Sequence, residues 1–200
     1  KLIAEGEETD PIVFTSNRGF KRAGDWGGII ILGDAPSNRF DQGSVASYYP
    51  ELKPSDYRFT NFGGNNIMSD SGTLKYIRIE YAGKSIRGVG HFNGLMLASV
   101  GNQTVLENIM ISHSAGNSFE LVGGEVFLEK AVSYKSHEND FKFNHGVQAH
   151  LYNSLAVRSP YVSNSNGSRC LLVKSFDKKN VNDFNKKGTS VIAQNITLIN

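Results

Sequence analysis

The sequence is short of the residues that staple or interrupt a fold. It has one cysteine in 200 residues, so no disulfide and no cysteine zinc site can form within the chain. That cysteine, Cys170, lies in the apolar run CLLV and reads as a small buried residue. Five prolines leave no proline-rich linker. No apolar run approaches the roughly 18 residues of a membrane-spanning helix. Neither sign of charge dominates: 21 Lys+Arg against 19 Asp+Glu gives a net charge of +2, which argues against a nucleic-acid partner, since such proteins concentrate basic residues on one face. No signal-like segment or initiator methionine opens the chain. It begins in one strand pattern, KLIAEG, and closes in another, VIAQNITLIN, so both ends are expected to continue into a longer protein. No window shows a capped 3.6-residue period.

What is present is strand and turn. Glycine is abundant, 21 of 200. Short runs rich in Val, Ile, Leu and Phe alternate with Gly, Asn, Asp and Ser: PIVFTS, GGIIILG, TLKYIRIEYAG, NGLMLASVG, TVLENIMISHSAG, NSFELVGG, EVFLEKAVSY, NDFKFNHG and AHLYNSLAVRS. These runs repeat. Leu106 falls on Leu128, Asn117 on Asn139 and Phe119 on Phe141, each 22 residues apart, and Leu151 and Asn93 extend the pattern at slightly longer offsets. A unit of that size, holding two or three short strands, is one coil of a solenoid. The leucine-rich repeat shares the unit length, but its L-x-x-L-x-L-x-x-N pattern is missing.

The fold expected is therefore all-β: a right-handed parallel β-helix of about six or seven coils of about 22 residues, a single domain over 1–200. One coil buries only one face, so stability comes from stacking at about 4.8 Å. Stacking predicts inward columns Leu95–Phe119–Phe141 and Leu106–Leu128–Leu151, and an asparagine column Asn93–Asn117–Asn139 linked by side-chain amides. Two segments break the period: an inserted loop at 34–72 and a second polar loop at 175–188. Loops projecting from a rigid scaffold are where function concentrates.

PIVFTS, then GDWGGIIILGDAPSN, then a long loop ending in FGGNNIMSDSGTLKYIRIEYAG, resemble secreted right-handed β-helix proteins of Bacteroidetes-type bacteria, an uncharacterised, lipoprotein-like family. The likeness covers roughly residues 1–160 and rests on Asp25, Trp26, Gly27, Gly28, Gly33, Gly63, Gly64, Asn65, Ser71, Gly72, Arg78, Glu80 and Tyr81. It implies export and an extracellular or outer-membrane-surface location, with any lipid anchor outside this segment. It implies no activity.

A glycoside hydrolase needs a carboxylate pair; Asp140, Glu138 and Glu120 are available, but Asn117–Ser118 stands one coil before Asn139–Asp140, and Asp140 is expected in a turn, bonded to its own backbone. A uronate lyase needs a cation to neutralise the carboxylate and a base for the ring proton. The loop GKSIRGVGH offers Lys84 or Arg87 as the cation and His91, or nearby Tyr81, as the base. The five histidines do not stack at a 22-residue offset, so no cofactor or transition metal is expected. Calcium at Asp177, Asn180, Asn182 and Asp183 is opposed by Lys178, Lys179, Lys186 and Lys187. The glycine strings lack the lysine and helix of a phosphate loop. Trp26 reads as a packing residue at a strand mouth.

In the first loop, Tyr48, Tyr49, Tyr57 and Phe59 are ligand-binding candidates, because exposed rings stack on sugar rings; the alternative is that they fold the loop onto the solenoid. The functional expectation is a non-enzymatic surface module that binds a polysaccharide or a surface protein. A polysaccharide-active enzyme, lyase before hydrolase, is the alternative, and a structural scaffold is the second.

Overall fold

The computed structural model describes residues 1–50, 59–162, 167–176 and 180–200. The chain winds through three faces per coil. The first coil is β1 (Leu2–Glu5), β2 (Ile12–Phe14) and β3 (Ile29–Leu32), followed by the long loop with its small hairpin β4 (Gly43–Ser44) and β5 (Asn61–Phe62). The second is β6 (Gly72–Glu80), a side hairpin β7 (Ser85–Ile86) and β8 (Gly90–His91), then β9 (Leu95–Ala98). The third is β10 (Val105–Ser112) and β11 (Phe119–Val122); the fourth is β12 (Glu125–Glu129), β13 (Val132–Tyr134) and β14 (Phe141–Asn144). The fifth is β15 (Gln148–Tyr152), β16 (Leu155–Val157) and β17 (Leu171–Val173), and β18 (Ser190–Gln194) with β19 (Thr197–Ile199) begins another.

Strand pairing between coils is parallel throughout the solenoid, as the repeat predicts; the only antiparallel strand pairs among the described residues are the two small hairpins, β4–β5 and β7–β8. Phe119 pairs with both Leu95 and Phe141, and Ile29 and Leu171 extend that column. The Phe119 and Phe141 rings stack, centroids 5.1 Å apart. Leu106 pairs with Leu74, Leu128 with Leu151, and Glu107 with Glu129 beside them, so the leucine column is continuous. Together these residues form one buried core.

The faces meet at single-residue corners. Tyr76, Asn108, Lys130, Asn153 and Asn195 share one corner and all adopt the left-handed conformation, φ 48–54°. One such residue turns the chain sharply without breaking the pairing on either side, which is why β6 and β10 run across two faces. Three of the five are asparagine, the side chain that best tolerates this conformation.

The third face, β3–β9–β11–β14–β17, is covered on both sides. Its inner residues join the core. Its outer residues Met96, Ala98 and Val122 lie under the first loop, packed against Val45, Tyr49 and Phe62. This explains why LMLA and FELV are buried at every position.

Candidate functional site

The lyase candidates lie on or beside the side hairpin β7–β8. Lys84 and Arg87 are exposed. The Lys84 backbone N–H donates to the Trp26 carbonyl at 2.9 Å, while Trp26 itself packs on the core and donates from Nε1 to the Glu80 carbonyl at 2.8 Å. His91 is the one candidate that meets a carboxylate, with Nδ1 3.5 Å from Glu138 Oε1. Beside Glu138 is a recess of about 180 Å³ lined by Asn139, Arg169, Leu172 and Lys174.

The loop aromatics divide. Tyr49 is buried, its ring 4.5 Å from Phe92 and its hydroxyl accepting from Asn93 Nδ2 at 2.8 Å. Burial, with Glu120 nearby, pushes its hydroxyl well above the ordinary tyrosine range. Tyr48 is half-buried against Phe62 and the His145 ring. Both rings thus pin the loop to the solenoid, because the outer side of the third face is apolar. Phe59 is 77% exposed. Tyr57 lies outside the described residues, as does Asp177.

Beneath Tyr49 sits a buried polar network. Glu120, 3% exposed, accepts from Asn93 at 2.6 Å and Asn144 at 3.1 Å and pairs with Lys142 at 2.9 Å. The asparagine column is present as expected: Asn117 donates to Asn93 Oδ1 and accepts from Asn139 Nδ2, each at 2.8 Å.

Asp140 departs from its expected place. It is fully buried, not in a turn bonded to its own backbone: Ser133 donates to it at 2.5 Å and Arg158 at 2.7 Å. Burial raises its carboxyl, and the bonds from Ser133 and Arg158 pull the other way. Cys170 is half-buried beside it, and burial raises its thiol as well. Among the described residues, no three His, Cys, Asp or Glu side chains converge as a metal site would need.

A further recess lies at the corner where the third face turns into the first. A cleft of about 420 Å³ runs between the two period-breaking loops, within the size range of small-molecule sites, about 300–1,000 Å³. Pro36, Ser37, Asn65 and Ile67 form one wall, and Asn185, Lys186 and Lys187 the other. Gly124 and Gly146 form the floor, and Glu125 and Gln148 stand at its rim on the first face. Both glycines have positive φ, 86° and 81°, and a Cβ on Gly124 would come 2.2 Å from the Val100 carbonyl oxygen. The floor is therefore bare backbone. An adjoining recess of about 280 Å³ adds Arg39, Asp41 and Gln42. Amides, a hydroxyl, both signs of charge and a short apolar wall suit a ligand with many hydroxyl groups.

Sequence reasoning marked both loops, but of these lining residues it weighed for a ligand only Lys186 and Lys187, as opposing calcium, and Asn65 entered only through the resemblance. The loops carry no periodicity to show which side chains turn inward; the pair of glycines at equivalent corners, Gly124 and Gly146, was the available signal.

A family model for the pectate-lyase-like β-helix domain matches residues 1–200. No curated protein and no solved structure matches the chain.

Proposed function

The chain belongs to the pectate-lyase-like β-helix domain family, and from that membership and the loop-bounded cleft we propose that it is an exported carbohydrate-binding module. The observation that carries the reading is the cleft itself: a glycine floor that admits a ligand to the backbone, between walls of amide, hydroxyl and ammonium groups. Sugar hydroxyls would bond to Asn65, Gln148 and Asn185, with Ile67 against the C–H face of a ring and Lys187 drawing any acidic substituent. The resemblance to secreted surface proteins of Bacteroidetes-type bacteria supports a location outside the cell.

A glycan array probed with labelled protein tests this. We expect selective hits whose affinity falls at least about tenfold in Ser37→Trp, which fills the cleft, and in Lys187→Ala, which removes a cation. Hits indifferent to both substitutions, or no hits, would overturn the reading.

A second reading, uronate β-elimination, is favoured by one observation: Glu138, which meets His91, lines a recess with Arg169 and Lys174. Cations there would hold a uronate carboxylate while His91 takes the proton. Ultraviolet-absorbing unsaturated products, lost in His91→Ala, would establish it.

A further inference from the structure

The two walls of the cleft are joined by three side chains that no glycan would touch. Asn38 from the first loop is 1% exposed, Asn182 from the second is fully buried, and His145 at the corner of the fourth coil is 2% exposed. Asn182 Nδ2 donates to Asn38 Oδ1 at 2.8 Å and lies 2.8 Å from His145 Nδ1. An amide nitrogen has no lone pair to offer, so His145 Nδ1 is the acceptor. Asn38 Nδ2 in turn donates to the Ser175 carbonyl at 2.7 Å, where the second loop departs.

Backbone pairing runs alongside. Arg39 and Asn182 form an antiparallel bridge; the Phe40 N–H donates to the Val181 carbonyl at 3.1 Å, and the Asp183 N–H to the Asn38 carbonyl at 2.8 Å. The Asn38 N–H donates to the His145 carbonyl at 3.0 Å, fixing the first loop to the corner. Lys186 Nζ donates to the Arg39 carbonyl. By contrast, no described residue of the second loop joins the buried apolar clusters, and Phe184 is 54% exposed. Polar bonds, not apolar packing, hold this wall in place.

We infer that Asn38, Asn182 and His145 form a clasp that sets the width of the cleft by locking the second loop against the first. They are positioning residues for the site proposed above, and the inference rests on that reading only where ligand affinity is concerned. Lys186 and Lys187 follow Asn182 closely in sequence, so the buried Asn182 amide, with the backbone bridge beside it, helps to place the wall that carries them. Loss of the clasp lets that wall swing away while the solenoid keeps its register, because the inter-coil ladders do not pass through it.

Hydrogen exchange tests the clasp without any ligand. Asn182→Leu removes both donors while keeping the branched heavy-atom skeleton. His145→Leu removes the acceptor, and His145→Asn restores an acceptor close to Nδ1 in a residue that tolerates φ 52°. In both leucine variants the Phe40 and Asp183 amides should exchange at least about tenfold faster, with Ile109 and Leu121 amides in the core unchanged. His145→Asn should restore slow exchange and, with it, affinity for any glycan hit. Unchanged exchange at Phe40 and Asp183 in Asn182→Leu would overturn the clasp, as would failure of His145→Asn to rescue. If His145→Leu does not fold, Asn182→Leu against wild type decides the same question. Faster exchange in a protein whose wild type binds no glycan would leave the clasp standing and sink the carbohydrate reading alone.

Discussion

At Asn117 one side chain serves three coils. It donates to Asn93 Oδ1, and its own Oδ1 accepts from both Nδ2 and the backbone N–H of Asn139, the latter at 3.1 Å. Asn117→Ala strands the buried Asn93 acceptor and the half-buried Asn139 donors, and we expect a loss of about 3 kcal/mol, read as a lower urea midpoint with an unchanged slope. A loss under about 1 kcal/mol would mean that the column is incidental. Arg158→Met leaves the Asp140 carboxylate buried without its cation, and should cost about 3–5 kcal/mol, whereas Asp140→Leu/Arg158→Met together should cost far less. The asparagine column was legible because its members recur at the coil period and open equivalent strands. Asp140 was not. It stands where Ser118 stands one coil earlier, and its partner Arg158 lies 18 residues away, off the coil period.

Elements are shaped by corners and by what covers them. Lys130 adopts φ 52° between Asn108 and Asn153 in the corner ladder. Lys130→Asn should relieve part of the left-handed penalty and gain up to about 1 kcal/mol, a rise of about 2–4 °C in Tm for a chain of this size. A fall in Tm would contradict the strain argument. The first loop is held down by Tyr49, so Tyr49→Ala should cost about 4 kcal/mol. Tyr49→Phe should cost about 1 kcal/mol, since Asn93 still donates to Glu120; thermal denaturation of the pair separates ring packing from the hydroxyl. Strand existence and inward columns were legible because apolar residues recur at a fixed offset. The descent of the loop onto Met96, Ala98 and Val122 was weighed but not resolved, because outward apolar residues on a strand do not say what covers them.

For the molecule as a whole, acid is the condition to which the fold answers. His113, stacked on Tyr81 with ring centroids 5.2 Å apart, and His137 are both held below the ordinary histidine value of 6.5, chiefly by burial, with Lys135 adding to the effect at His113 and His91 and His113 at His137. The native state keeps both neutral, so the unfolded chain binds more protons once pH drops below 6.5, and stability declines from there until the depressed native values are passed. Asp140, raised by burial, works in the opposite sense: its cost is full above the raised native value and eases as pH falls from there toward the ordinary carboxylate value of 3.8. The urea midpoint should fall between neutral pH and about pH 5.5, and His113→Tyr with His137→Gln should flatten most of that fall. A profile that rises on acidification would contradict the assignment.

The architecture was legible at this scale because a solenoid is periodic. The cleft was not, because it is made where the period stops. An NMR titration with an oligosaccharide selected on the glycan array tests the carbohydrate reading most directly. The account predicts amide shifts concentrated at Gly64, Gly124, Gly146 and Lys187. Shifts centred instead on Asn139, Arg169 and Lys174, or spread over the solenoid without a focus, would contradict it.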